Sequence, residues 1–156
     1  MKKFVAFTLV VVIGLMIAVS TVSADKKEAD KKEGVAAKCP VSGKAIKLDA
    51  AVDYKGGKVY FCCPGCPKAF AKNTAKFANK ANHQLALTGQ AKQVACPIAG
   101  KPTKDATKID VGGVGVTFCC NGCKGKASKA EDQVAFLFND KAFAKAFKVA
   151  AAKKKE

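Results

Sequence analysis

The chain has no tryptophan, two tyrosines and one histidine, and all 28 of its basic residues are lysine. Without tryptophan, ten phenylalanines supply most of the aromatic bulk across 156 residues. That suits one or two small cores and leaves no room for a large enzyme interior. Without arginine there is no planar fork to read phosphates and bases bidentately, whereas lysine is a hydrated point charge that often serves only solubility. The formal charge of +16 therefore implies weak, salt-sensitive attraction to an anionic membrane or cell-wall surface and no specific nucleic-acid site. No carboxylate pair, serine nucleophile or phosphate loop stands out, so hydrolysis and phosphoryl transfer lack residues to carry them. A non-enzymatic role is expected.

What the chain does have is cysteine. Cys39, Cys62, Cys63 and Cys66 are answered by Cys96, Cys119, Cys120 and Cys123, each pair 57 residues apart, and these are all eight cysteines of the chain. The thiols are thus the repeated object.

The N-terminus starts Met1-Lys2-Lys3, runs apolar from Phe4 to Val22, and ends in Ser23-Ala24 before Asp25. A basic start, an apolar middle and a small residue at the cut define a secretory signal peptide over 1–24. The apolar run approaches the roughly 20 residues that span a bilayer, so an uncleaved anchor is the alternative. Both versions place the thiols outside the cytoplasm, periplasmic or secreted. Cleavage would leave 26 lysines against 12 acidic residues, a charge of +14. Residues 25–38 are charged, lack an apolar stripe and read as a linker. The first repeat covers 39–90, the second 96–149, and 150–156 is a basic tail.

Each repeat has one order: Cys-Pro-x-x-Gly-Lys, a mixed segment, a strand-like run into Phe-Cys-Cys, then x-Gly-Cys and a helical stretch. Asp53 to Phe61 reads as a hairpin turning at Gly56-Gly57, and Asp110 to Phe118 as its glycine-richer counterpart, with Asp53 and Asp110 as turn residues. Cys63, Cys66, Phe70 and Phe77 project onto one side of a helix, with Asn73 intruding. Cys123, Ala127, Ala130 and Val134 form the matching, smaller side, which predicts a thinner second core. Two further alanine-rich segments, His83 to Leu87 and Lys141 to Ala151, are expected as short covering helices. Phe143, Phe147, Ala150 and Ala151 also fit an amphipathic membrane-surface helix. His83 has Asp140 rather than a histidine at the matching second-repeat position, which favours a surface or helix-start role over ligation.

Cys-Pro-Val-Ser-Gly and Cys-Pro-Ile-Ala-Gly have the shape of a zinc knuckle, with Ser42 and Ala99 where a full knuckle carries a second cysteine. Cys63-Pro64-Gly65-Cys66 and Cys120-Asn121-Gly122-Cys123 add thiols at a helix start, where the positive end of the helix dipole favours thiolate. The expected fold is α+β: two small tandem treble-clef-like modules, each a knuckle, a β-hairpin and a helix. Zinc takes four thiolates and Cu(I) two or three, so zinc or copper, one metal per repeat, suits the set Cys39, Cys62, Cys63, Cys66, Cys96, Cys119, Cys120 and Cys123. Repeats of about 50 residues also sit near the size at which small domains need a staple.

The spacing of Cys39, Cys62 and Cys66, kept in Cys96, Cys119 and Cys123, resembles that of the TRASH domain. Val59 through Phe70 is similar to the core of the related YHS domain. The resemblance covers most of residues 39–81 and, with more departures, 96–130. It implies a treble-clef module found in proteins that traffic, resist or sense heavy metals, with those six cysteines as ligands. Cys63 and Cys120 then become fourth ligands or exchange partners, and a metal-trafficking protein a natural recipient. Lys124-Gly125 for Pro67-Lys68, and Ala127 for Phe70, imply weaker binding in the second copy. Two other readings stay open: a disulfide-stabilised secreted interaction module, and a thiol-disulfide oxidoreductase built on Cys63 to Cys66.

Overall fold

The computed structural model describes residues 37–150. The signal-peptide reading at 1–24, the linker up to residue 36 and the tail from 151 fall outside the described residues.

Each repeat opens on a knuckle turn closed by its own backbone. Cys39 N–H donates to Lys44 C=O (2.8 Å) and Gly43 N–H to Cys39 C=O (2.8 Å); Cys96, Lys101 and Gly100 repeat both bonds at 2.9 and 2.7 Å. Gly43 and Gly100 sit at φ +72° and +69°, which a side chain would strain. A hairpin follows, β1 (Lys47–Tyr54) with β2 (Gly57–Phe61) in the first repeat, β4 (Lys104–Val111) with β5 (Val114–Phe118) in the second. Tyr54 pairs with Gly57 and Val111 with Val114, so the turns are Lys55-Gly56 and Gly112-Gly113. All four turn residues have positive φ, as a type I′ turn requires. The first turn therefore lies one residue before the expected Gly56-Gly57. Gly57 is needed for another reason: a Cβ there would stand 2.8 Å from Leu85 Cδ2.

The long helical face expected after Cys63 is broken. α1 (Gly65–Lys72) ends at Asn73, whose side chain accepts a hydrogen bond from Lys76 N–H and caps α2 (Thr74–Leu87). The intruding asparagine is thus an N-cap between two helices. His83 to Leu87 is the end of α2 rather than a separate helix. In the second repeat α3 (Asn121–Ser128) and α4 (Gln133–Leu137) divide the corresponding stretch, with the Asp132 side chain capping α4.

The C-terminal segment also departs from expectation. α5 (Asp140–Ala146) stops at Phe147, and β6 (Phe147–Val149) pairs antiparallel with β3 (Ala91–Gln93), which lies between the two hairpin units. Phe143 and Phe147 are 3% and 6% exposed and stacked 5.2 Å apart. Their apolar face is spent on the core and is unavailable to a membrane surface.

The described residues form an α+β fold of short helices and three two-stranded antiparallel sheets. One buried cluster runs through both repeats, from Val59, Phe61 and Phe70 to Phe118, Phe138 and Phe147. Phe70 is the first-half hub, edge-on to Tyr54 and Phe61 at 5.4 Å. Its counterpart is Ala127, and the second half draws its aromatic bulk from Phe138, Phe143 and Phe147 instead. The second core is therefore filled from α4 to β6 rather than thinned.

Three successive residues of α2 tie these parts together. Asn82 Nδ2 donates to Phe138 C=O (2.9 Å) and to Asp140 (2.9 Å). His83 Nε2 meets Val111 C=O at 2.8 Å. Gln84 turns back to the first repeat. Among the described residues no helix is long and apolar enough to cross a membrane.

Candidate metal centres

Knuckle, hairpin end and helix start bring three thiols together in each repeat. The sulfur atoms of Cys39, Cys62 and Cys66 all lie within 4.8 Å of one another, and so do those of Cys96, Cys119 and Cys123. All eight cysteines are free. Cys62 to Cys66 is 3.6 Å and Cys119 to Cys123 is 3.7 Å, sulfur to sulfur. With zinc–sulfur bonds of about 2.3 Å, the edge of a thiolate tetrahedron is about 3.8 Å. The donor chemistry and the spacing both fit a metal ion.

The remaining thiols lie beside these triads. Cys63 is exposed and touches Cys66 at 3.4 Å; Cys120 is exposed and touches Cys119 at 3.9 Å. His83, held against Val111 on α2, belongs to neither group. It is half-buried in mid-helix, so neither the surface nor the helix-start role describes it. Burial, the main cause, pushes its ring below the usual histidine value, against the Val111 carbonyl and the Asp110 charge.

The thiols of each triad are electrostatically unequal. Burial opposes ionising Cys39, yet the Ser42 hydroxyl and the backbone amides of Ser42, Cys62 and Val41 outweigh it and bring the thiol down to about 6. Cys96 is lowered in the same way, against burial, by the amides of Ala99, Cys119 and Ile98 and by the Cys119 thiol. Cys66 is pushed up to about 12, first by the hydrogen bond it shares with Cys63, then by burial, Cys62 and the Cys39 charge. Cys123 is also pushed up to about 12, by burial first and then by Cys119, Cys120 and Cys96. A reduced triad thus holds one favoured thiolate, on the knuckle, and retains protons at the helix. A metal ion must displace those protons to gain its full ligand set.

Three residues that shape the sites were not among the expected site residues. Ser42, in the position of a missing knuckle cysteine, places its hydroxyl 3.0 Å from Cys62 Sγ; Ala99 offers no equivalent. Gln84, 2% exposed, accepts from Tyr60 N–H (2.6 Å) and donates to Tyr60 C=O (2.9 Å) and Lys38 C=O (3.0 Å). Gln93 accepts from Thr117 N–H (3.0 Å) and donates to Thr117 C=O (2.7 Å) and Ala95 C=O (2.9 Å). Each amide links the residue before the knuckle cysteine to the strand that delivers the hairpin cysteine. It thereby sets how closely Cys39 approaches Cys62, or Cys96 approaches Cys119. For Gln84 the sequence signal is a polar residue beside Leu85, Ala86 and Leu87, and it does not reveal its partners.

No protein-family model, curated protein or solved structure matches this chain.

Proposed function

We propose that this is an exported, non-enzymatic tandem metal-binding protein that captures zinc, Cu(I) or a similar soft metal ion through cysteine thiolates, for buffering, trafficking or resistance. Two sulfur triads, each gathered within 4.8 Å with one edge at 3.6 or 3.7 Å and built from the same repeated positions, carry the reading. Cys39, Cys62 and Cys66 would hold one ion, and Cys96, Cys119 and Cys123 the other. The repeated knuckle, hairpin and helix order also supports the proposed kinship with TRASH and YHS modules and their treble-clef arrangement. The lysine-rich surface suits weak retention on anionic membrane or cell wall, and the exposed Cys63 and Cys120 suit ligand-by-ligand transfer to a thiol-bearing trafficking partner.

Native mass spectrometry of the anaerobically purified, reduced chain tests this. One metal ion per triad with free thiols is expected. Four closed disulfides and no metal uptake after reduction would overturn it in favour of a disulfide-stabilised secreted module.

A further inference from the structure

The two triads differ at a matched position of the knuckle, where Ser42 in the first repeat corresponds to Ala99 in the second. The knuckle backbones are alike: Cys39 N–H meets Lys44 C=O at 2.8 Å and Cys96 N–H meets Lys101 C=O at 2.9 Å. The contacts between hairpin and helix thiols are alike too, with Cys62 3.6 Å from Cys66 and Cys119 3.7 Å from Cys123. Among the described residues, only the first triad has a side-chain oxygen in hydrogen-bond contact with a sulfur: Ser42 Oγ lies 3.0 Å from Cys62 Sγ. Lys44 N–H donates to the same oxygen at 3.3 Å, which holds the hydroxyl beside that sulfur and leaves its hydrogen free to donate. Ala99 offers neither the Lys101 amide nor the Cys119 sulfur such an oxygen.

We propose that this hydroxyl makes the two metal sites unequal: Ser42 is a positioning residue that favours the first site, so the first ion goes to Cys39, Cys62 and Cys66, and the second triad fills afterwards. The inference rests on the metal-binding reading above and adds an order of loading to it. A metal-bound Cys62 is a thiolate and can only accept, so the hydrogen runs from Ser42 Oγ to Cys62 Sγ. Three thiolates around a divalent ion leave a net negative charge, and a hydroxyl donated to one of them disperses it. Hydrogen bonds to an ionised acceptor are roughly twice as strong as neutral ones. The contact therefore strengthens when the ion binds, and it stabilises the loaded site over the empty one. Groups that hydrogen-bond a metal ligand in this way typically change metal affinity about 10–100-fold. Burial acts in the same direction, since Cys66 is buried and Cys123 half-buried. One chain thus combines a firmly held ion with a more exchangeable one.

The test uses the full chain, reduced and anaerobic, titrated with zinc against a competing chelator. Iodoacetamide labelling with peptide mapping locates the ion, through protection of Cys62 or Cys119, both half-buried, relative to the metal-free chain. At one equivalent of zinc the wild type is expected to protect Cys62 and leave Cys119 open. Ser42→Ala, an exposed position, should weaken the first site about 10–100-fold and leave the second unchanged, while Ser42→Thr, which keeps the hydroxyl, should retain the wild-type order. Ala99→Ser should strengthen the second site, a gain that a merely structural role would not produce. Equal protection of Cys62 and Cys119 in the wild type, earlier filling of the second triad, equal weakening of both sites by Ser42→Ala, or an unchanged second site in Ala99→Ser would each overturn the proposal. A wild-type chain that takes up no zinc would instead overturn the metal reading, and this inference with it.

Discussion

Gln84 and Gln93 do not correspond under the 57-residue repeat, yet they clamp backbone positions that do: Tyr60 and Lys38 for one, Thr117 and Ala95 for the other. One amide arrives from α2, the other from β3. The same cysteine spacing is thus held by two unrelated routes, and each site has its own positioning residue.

Replacing either glutamine by methionine keeps much of its volume and strands a buried peptide group, which costs about 1–3 kcal/mol. Gln84→Met is expected to weaken metal binding at the first site and leave the second unchanged, and Gln93→Met the reverse. Cobalt titrations followed through the thiolate charge-transfer bands would show this; equal weakening of both sites by either variant would mean the clamps serve only global stability.

Cys66→Ser and Cys123→Ser should each remove one metal ion per chain, and the double variant both. Since Cys66 and Cys123 hold their protons with values near 12, wild-type uptake should release protons and strengthen as pH rises. Metal titration in weak buffer with a pH electrode checks this, and proton-neutral uptake would contradict the thiol assignment.

Reactivity should rank by exposure and ionisation together. Cys63 is lowered chiefly by its hydrogen bond to the Cys66 thiol, Cys120 chiefly by the Cys123 backbone, and both are exposed. With iodoacetamide and peptide mapping of the reduced, metal-free chain, these two should be labelled first. Cys39 and Cys96, 1% and 0% exposed, should be labelled last although the knuckle favours their thiolates.

Phe70→Ala removes the ring on which Tyr54 and Phe61 pack, at a cost of about 3–5 kcal/mol. Phe70 lies one turn beyond Cys66 on α1, so the loss should fall first on the first metal site. Urea unfolding of the metal-loaded protein, with metal release followed in parallel, would resolve that order.

His83 gives an acid signature. Its folded value lies below the unfolded one of about 6.5. Its contribution to stability is therefore complete above that unfolded value and is lost as pH falls through it toward the folded value. Between about pH 8 and about pH 5.5, the metal-loaded wild type should lose more thermal stability than His83→Gln, which can still donate to Val111. The difference between the two chains is the readout, since metal affinity varies with pH in both; parallel curves would exclude the histidine as the cause.

Much of the candidate site was legible because its spacing is local. Cys62 to Cys66 and Cys119 to Cys123 are one helical turn apart, and Gly43 and Gly100 mark turns that only glycine adopts easily. The helix after Cys63 was harder to read, since Asn73 looks like a polar intrusion until its side chain is seen capping α2. Phe147 was misplaced for a related reason. Its spacing from Phe143 fits a helix, but pairing between β3 and β6 takes the chain out of helical geometry.

By itself the sequence determined that eight thiols recur as two matched sets of four. It also indicated both hairpins, although it placed the first turn one residue late. Only the tertiary structure decided that the repeats share a core and that Asn82, His83 and Gln84 divide their bonds between the two halves. Those outcomes depend on contacts between residues far apart in the chain, and no local pattern of residue types encodes them.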